Sequence, residues 1–181
     1  VKLTDKALDE NYIRKTELTD SDVTVSEKID EVSKSILRLS ENGRRLYYFE
    51  NYDPETQSGE LMMIENGKER RKMHIASAVH SSLVLSRDGK SLLYLESTDK
   101  NGDMGVLYYW KKGMKEPYKI STDIDKGSFG ISADCREALF IQNFDRVNMQ
   151  GDLQAKSLKH LNEEKKHIDT GVCSSFGTDV K

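Results

Sequence analysis

The apolar and polar positions of the chain form a unit that occurs three times. Residues 37–51 read LRLSENGRRLYYFEN, residues 82–97 read SLVLSRDGKSLLYLES, and residues 129–143 read FGISADCREALFIQN. Each unit consists of an apolar run, a Ser-x-Asx-Gly-like turn and a second apolar run. This pattern predicts pairs of antiparallel β-strands joined by tight hairpin turns.

Several residues, in the turns and beyond them, recur at the same interval. Identical residues lie 46 positions apart in three successive copies: Ser40, Ser86 and Ser132; Asp53, Asp99 and Asp145; Gly59, Gly105 and Gly151; Leu61, Leu107 and Leu153. Four markers that hold one interval without an insertion indicate a structural repeat. Its length is in the range typical of β-propeller blades.

Each period contains enough apolar and polar runs for four strands. The second run, such as LYYFE at residues 46–50, is apolar on both faces, which is typical of a strand covered on both sides. A polar connection and a third strand follow. The fourth strand, at residues 71–75, 118–121 or 166–170, is basic and polar, as expected of an exposed sheet edge. The pattern therefore predicts an all-β chain of four-stranded antiparallel β-propeller blades, with a connection leading from each blade to the next.

The repeat also predicts the limits of the blades within one propeller domain or fragment. The predicted segments are a partial blade at 1–34, complete blades at 35–80, 81–126 and 127–171, and the start of another blade at 172–181. In the partial blade we expect strands at residues 12–17 and 23–29 on either side of a turn. Residues 172–178 are expected to form the first strand of the last segment.

Three complete blades raise the question of how the ring closes. Blades bury their apolar faces against their neighbours, so an open arc would leave two faces in contact with water. We favour part of a larger propeller, in which further blades of the same protein or a second copy cover these faces. The alternative is a closed four-bladed propeller whose terminal strands share one blade, since the 181 residues nearly fill four periods.

The repeated motif resembles that of a known family. The Leu-Ser-x-Asx-Gly-Lys/Arg-x-Leu-x-Tyr core, with an Asp-containing loop and a Gly-x-Leu strand after it, is similar to the TolB-like, PD40-type branch of the WD40-like β-propellers over residues 36–170. Glu41, Arg87 and Ala133 replace the proline of that family's usual Ser-Pro-Asp-Gly. The resemblance implies a propeller fold and an extracytoplasmic or cell-envelope location.

Charge and composition exclude several classes of partner. Asp and Glu number 31 and Lys and Arg 28, which gives a net charge of −3. This balance provides no general attraction for nucleic acid or an anionic membrane. No window is apolar over the length of a transmembrane helix, so we expect no direct membrane insertion of this segment. Cys135 and Cys173 are too few for a disulfide scaffold or a structural zinc site.

One face of the predicted propeller is the default binding surface. Because strands alternate in direction, the connections at 51–59, 97–105 and 143–151 share a face with the connections between blades; we call it the loop face. Long, varied loops often carry function. The candidate binding residues there are Tyr52, Asp53, Asp99, Asn101, Asp103, Asp123, Asp125, Asp145, Arg146 and Asn148. Their acidity suits a cationic ligand or a basic partner. The three repeated aspartates also have a structural interpretation, because such residues commonly bind loop amides.

The motifs of common catalytic and metal sites are not found. Asp99, Asn101 and Asp103 are spaced like the start of a calcium loop, but Trp110 stands where that loop needs a bidentate Glu. There is no His-Glu-x-x-His and no Gly-x-Ser-x-Gly motif. We therefore predict no catalytic residue, metal or cofactor in this chain.

These observations favour a binding protein. We expect a non-catalytic propeller that acts as a scaffold and presents its loop face to a protein or peptide. One alternative is the gating propeller of a larger hydrolase similar to prolyl oligopeptidase, with its catalytic domain elsewhere. Another is a propeller that binds a small ligand or a carbohydrate.

Overall fold

A computed structural model describes residues 12–18, 23–31, 38–40, 43–65, 71–98 and 103–173, with side chains from Arg38 onward except that of Arg71. These residues form thirteen strands in three sheets, and every strand pairing is antiparallel. Over the described ranges the chain contains no helix that could cross a bilayer. The prediction of an all-β chain of propeller blades is confirmed.

The N-terminal strands form a hairpin of their own. Strand β1 (Tyr12–Leu18) pairs with β2 (Val23–Glu31), and Leu18 lies opposite Val23. The two strands lie where the sequence predicts them, at residues 12–17 and 23–29.

The second sheet contains seven strands and extends over two repeat units. Its strands, in spatial order, are β3 (Arg38–Leu39), β4 (Arg45–Asp53), β5 (Ser58–Glu65), β6 (Arg71–Leu85), β7 (Ser91–Ser97), β8 (Met104–Lys111) and β9 (Tyr118–Asp125). The sequence predicts a separate connection between the fourth strand of one unit and the first strand of the next. That prediction is wrong here, because both strands are parts of β6. Ala78 in β6 has φ 53°, and the pairing with β7 shifts register between Val79 and Leu83. This irregularity allows one strand to pair with β5 and then with β7.

The third sheet contains the last repeat unit. It consists of β10 (Phe129–Ile131), β11 (Glu137–Asp145), β12 (Gln150–Ser157) and β13 (Lys166–Cys173). Val172 and Cys173, expected to begin a further strand, instead end β13, where they pair with Gly151 and Gln150. The fourth strand therefore continues past its predicted end. Residues 174–178 of the expected strand lie outside the described residues.

The three hairpin turns share one set of hydrogen bonds. In each turn a serine Oγ accepts a hydrogen bond from the backbone N–H five residues later: Ser40 from Arg45 at 2.9 Å, Ser86 from Ser91 at 2.9 Å, and Ser132 from Glu137 at 3.0 Å. The serine carbonyl accepts a second bond, at 2.8 Å, from Gly43, Gly89 or Cys135. The serines are therefore structural residues of the turn, as their repetition predicts.

Cys135 occupies a backbone conformation that suits glycine. Its φ is 58°, close to the 66° of Gly43 and the 63° of Gly89 in the equivalent turns. A Cβ in this left-handed region costs roughly 1–2 kcal/mol. Glycine loses about 0.5–1 kcal/mol more conformational entropy on folding, which offsets part of that cost. We expect Cys135→Gly to raise the free energy of unfolding by up to about 1 kcal/mol.

Urea denaturation measures this effect, and Cys135→Ala is the matched control. Alanine removes the thiol but keeps the Cβ, so Cys135→Ala should raise the free energy of unfolding very little. Equal stabilisation by both variants would show that the thiol, rather than the backbone conformation, is responsible.

Apolar side chains fill the two interfaces between successive units. The first core includes Tyr47, Phe49 and Leu61 from one unit with Tyr94 and Trp110 from the next. The second core joins the opposite side of that middle unit to the last unit, through residues such as Leu93, Tyr109 and Phe140.

Four inner-strand tyrosines, Tyr47, Tyr94, Tyr108 and Tyr109, pack between the units, whereas Tyr48 packs with Met62 and Ile64 of its own unit. Tyr47, Tyr48, Tyr94 and Tyr109 are buried, and Tyr108 stacks on Tyr94 with ring centroids 5.5 Å apart. Face-to-face packing of the sheets is thus what positions the loops of successive units side by side.

Candidate functional site

Ion pairs hold loops of two successive units together on the loop face. Arg146, in the turn between β11 and β12, donates from Nη1 to Asp103 Oδ2 and from Nη2 to Asp125 Oδ1, both at 2.9 Å. Lys126 Nζ lies 2.8 Å from Asp103 Oδ1. We call these four residues the Arg146 cluster. The structure thus brings together three of the predicted site residues, Asp103, Asp125 and Arg146.

The two carboxylates of the Arg146 cluster titrate differently. Hydrogen bonds from Lys126 and Arg146 hold the pKa of Asp103 below its usual value. Burial raises the pKa of Asp125, and the opposing effect of Arg146 does not cancel it. The side chain of Asp125 is 15% exposed and that of Asp103 is 27% exposed.

The two shifts give opposite dependences of stability on pH. Asp103 contributes to the stability of the folded protein at pH values above its pKa in the unfolded chain. This stability is lost as the pH falls through its lowered pKa in the folded protein. Asp125 contributes to the stability of the folded protein at pH values below its pKa in the unfolded chain. This stability is lost as the pH rises through its raised pKa in the folded protein. The cluster therefore contains one group stabilised in its charged form and one stabilised in its neutral form.

Removal of the Arg146 charge should raise both pKa values. In Arg146→Met, Asp103 loses a hydrogen-bond donor, and Asp125 loses the cation that opposes the effect of its burial. NMR titration of the side-chain carboxyl carbons measures both groups. Asp134 is the internal control, because Ser132 and the Arg136 backbone lower its pKa and neither is changed. An unchanged Asp103 pKa would contradict the assigned ion pairs.

Asp53 and Asp145 stabilise equivalent turns. Asp53 Oδ1 accepts the backbone N–H of Glu55, and Asp145 Oδ1 accepts that of Val147, both at 2.8 Å. The second oxygens bind the side chains of Thr56 at 3.0 Å and Asn148 at 2.6 Å.

These hydrogen bonds lower the pKa of both aspartates, chiefly through the Glu55 backbone for Asp53 and the Asn148 side chain for Asp145. Their stabilisation is present above the unfolded pKa and is lost as the pH falls through the lowered folded value. Asp53, Asp145 and Asn148 thus have a structural role in their turns, in line with the interpretation that such residues bind loop amides.

Tyr52 and Asp123 also contribute to the scaffold. The Tyr52 ring packs edge-on against Phe49, with centroids 6.0 Å apart, at the margin of the first core. Asp123 has φ 58°, and the equivalent Ala78 and Gly171 of the other units have φ 53° and 65°. Asp tolerates this left-handed conformation better than most residues. Asp99 and Asn101 lie outside the described residues.

Sequence reasoning missed two exposed apolar residues and one cation on this face. Val147 is 90% exposed and Met149 is 54% exposed, and both lie in the turn that carries Arg146. Lys126 completes the Arg146 cluster. The apolar pair could have been found by comparing equivalent turns of the repeat. Residues 146–149 read RVNM, whereas the equivalent residues 54–57 of the first unit read PETQ and contain neither Val nor Met.

The described side chains form no metal site. Within the part of the chain that the structure describes, no three His, Cys, Asp or Glu side chains are grouped so that they could hold an ion.

Similarity to known proteins is found at the level of structure. A protein assigned as TolB from Agrobacterium tumefaciens superposes with a TM-score of 0.51 and 16% identity, over 88% of this chain and 55% of that one. The chain has a TolB-like β-propeller fold. No protein-family model and no curated protein sequence matches it.

Other solved structures superpose on the chain at low sequence identity. A eukaryotic initiation factor gives a TM-score of 0.50 with 11% identity, over 84% of this chain and 39% of that one. A prolyl endopeptidase gives a TM-score of 0.49 with 12% identity, over 75% of this chain and 22% of that one. The chain spans about half the length of the TolB structure. The likeness to the TolB structure shows the propeller fold, as the sequence motif predicts, and leaves the activity open.

Proposed function

We propose that this TolB-like chain is a binding module that presents its loop face to a protein or peptide. The observation that carries the proposal is the Arg146 cluster, which joins a turn of one blade to two segments of the preceding blade. Loops tied together in this way form one continuous surface. A surface ordered in advance loses less conformational entropy when a partner binds.

The aspartate-supported turns favour the same role. Asp53 and Asp145 each bind a backbone amide and a side chain of their own turn. Exposed polar turns without such bonds would be more mobile. The loop face thus combines exposed, varied side chains with a fixed backbone, which is the combination that recognition of a partner requires. The family resemblance supports, as part of the proposal, an extracytoplasmic location.

Site-specific photo-crosslinking tests which face binds a partner. A benzophenone amino acid replaces Glu55 on the loop face or Ala133 on the opposite, short-turn face; both positions are exposed. In cells that normally produce the protein, we expect discrete crosslinked adducts from position 55 and none from position 133. Adducts from position 133 alone, or from neither position, would contradict the proposal.

A further inference from the structure

The turn between β11 and β12 exposes two apolar side chains at its tip. Val147 is 90% exposed and Met149 is 54% exposed. They are the two most exposed large apolar side chains among the described residues. Isolated apolar residues on a surface are ordinary, but two in one short turn concentrate exposed apolar surface at one place.

The backbone of this turn does not require apolar residues. The turn between β4 and β5 has the same conformation, with φ 53° at Gln57 and 55° at Met149. The supporting aspartate accepts the equivalent backbone amide at 2.8 Å in both turns. Glu55 and Gln57 occupy in the first turn the places that Val147 and Met149 occupy in the second. The chain therefore builds the same turn from polar residues, and the fold gives no reason for the apolar pair.

Arg146 fixes the position of this tip. Its two ion pairs, both at 2.9 Å, join the residue next to Val147 to Asp103 and Asp125 of the preceding blade. The equivalent position in the first turn is Pro54, which has no side-chain charge. The apolar pair is thus held by ion pairs that a proline at the equivalent position cannot form. A side chain that is held in place before binding loses less conformational entropy when a partner binds.

The charged groups around the tip are mainly acidic. Asp103, Asp125, Asp145 and Asp152 lie on the tip's own turn, on the neighbouring strand or in the loops that Arg146 contacts. Arg146 and Lys126 balance only part of this charge. A partner with Lys or Arg residues would complement the rim.

We propose that Val147 and Met149 are the apolar anchors of the loop face and bind a peptide segment in which an apolar side chain is flanked by basic residues. The inference rests on the proposed function and adds the position of the site and the chemistry of its partner. The apolar side chain contacts the tip, and the basic residues lie over the aspartates of the rim.

The test is a selection from a phage-displayed library of random dodecapeptides against the full chain. We expect the selected peptides to combine an apolar residue with Lys or Arg. The double variant Val147→Glu with Met149→Gln gives this turn the tip residues of the β4–β5 turn. It should weaken binding of the selected peptides by about tenfold or more. Because the added glutamate would attract a basic peptide, a loss of binding would arise from the apolar contacts.

The variant Ala133→Glu, which adds a glutamate to an exposed turn on the opposite face, is the matched control and should leave binding of the same peptides unchanged. Circular dichroism checks that each variant is folded, and the single variant Met149→Gln provides a milder second test of the same contact. Peptides that bind the wild type and the β11–β12 double variant equally would overturn this inference but leave the proposed function standing. Failure to select any peptide would count against both.

Discussion

Gly105→Ala is expected to destabilise the protein by about 3 kcal/mol. A Cβ on Gly105 would overlap the carbonyl oxygen of Glu96 and lie 2.6 Å from Leu95 Cγ. The obstructing atoms belong to β7, which pairs with both β6 and β8, so they cannot move without disturbing the neighbouring strands. Overpacking of this kind costs about 1–3 kcal/mol and occasionally more. In a chain of this size the change lowers the melting temperature by roughly 6–12 °C.

Gly130→Ala is the matched control for this prediction. Gly130 also lies in a strand, β10, but its added Cβ would meet no atom within 4 Å. Thermal unfolding followed by circular dichroism should show a large decrease for Gly105→Ala and almost none for Gly130→Ala. Similar melting temperatures for the two variants would show that β7 and β8 do not approach as closely as the structure indicates.

Gly89→Ala is expected to cost a comparable amount, about 3 kcal/mol, for two separate reasons. Gly89 has φ 63°, a conformation that L-residues adopt at a cost of roughly 1–2 kcal/mol. An added Cβ would also overlap the Cβ of Ser40 and lie 3.1 Å from its Cα. Ser40 belongs to the hairpin turn of the preceding blade, so the substitution would push two blades apart.

Gly127→Ala separates the two contributions to this effect. Gly127 has φ 85°, but nothing lies within 4 Å of its added Cβ. Gly127→Ala should therefore lower the free energy of unfolding only by the cost of the backbone conformation. Urea denaturation measures this free energy for both variants, and the larger decrease in Gly89→Ala gives the cost of the contact between blades. An equal loss in both variants would mean that the turn of one blade does not pack against Ser40 of the preceding blade.

The repeat glycines show how far sequence reasoning extends. Their constant interval marks Gly59, Gly105 and Gly151 as structural residues but does not explain them. In the structure, a Cβ at each position would meet a carbonyl oxygen of the second strand, in Glu50, Glu96 or Gln142. Because this close approach of the second and third strands occurs in every blade, every blade needs a glycine at the same position. The glycine therefore recurs at a constant interval in the sequence.

The candidate site was predicted less completely than the fold. The sequence places Asp103, Asp125 and Arg146 on one face, because strand direction alternates, but it does not show that they are in contact. Arg146 meets Asp103 and Asp125 across 43 and 21 residues of chain. The exposure of Val147 and Met149 was also missed, because apolar residues in a β-rich sequence are ordinarily assigned to a core.

The sequence alone determined the position of most strands, the hairpin turns and the repeated architecture, because these depend on interactions between residues close together in the chain. Hydrogen bonds such as the one from Arg45 N to Ser40 Oγ form within a single turn, and they recur wherever the motif recurs. The tertiary structure decided which loops meet, which glycine touches the neighbouring blade and which turn exposes apolar side chains. Those outcomes depend on the packing of one blade against the next, which brings together residues that no local pattern relates.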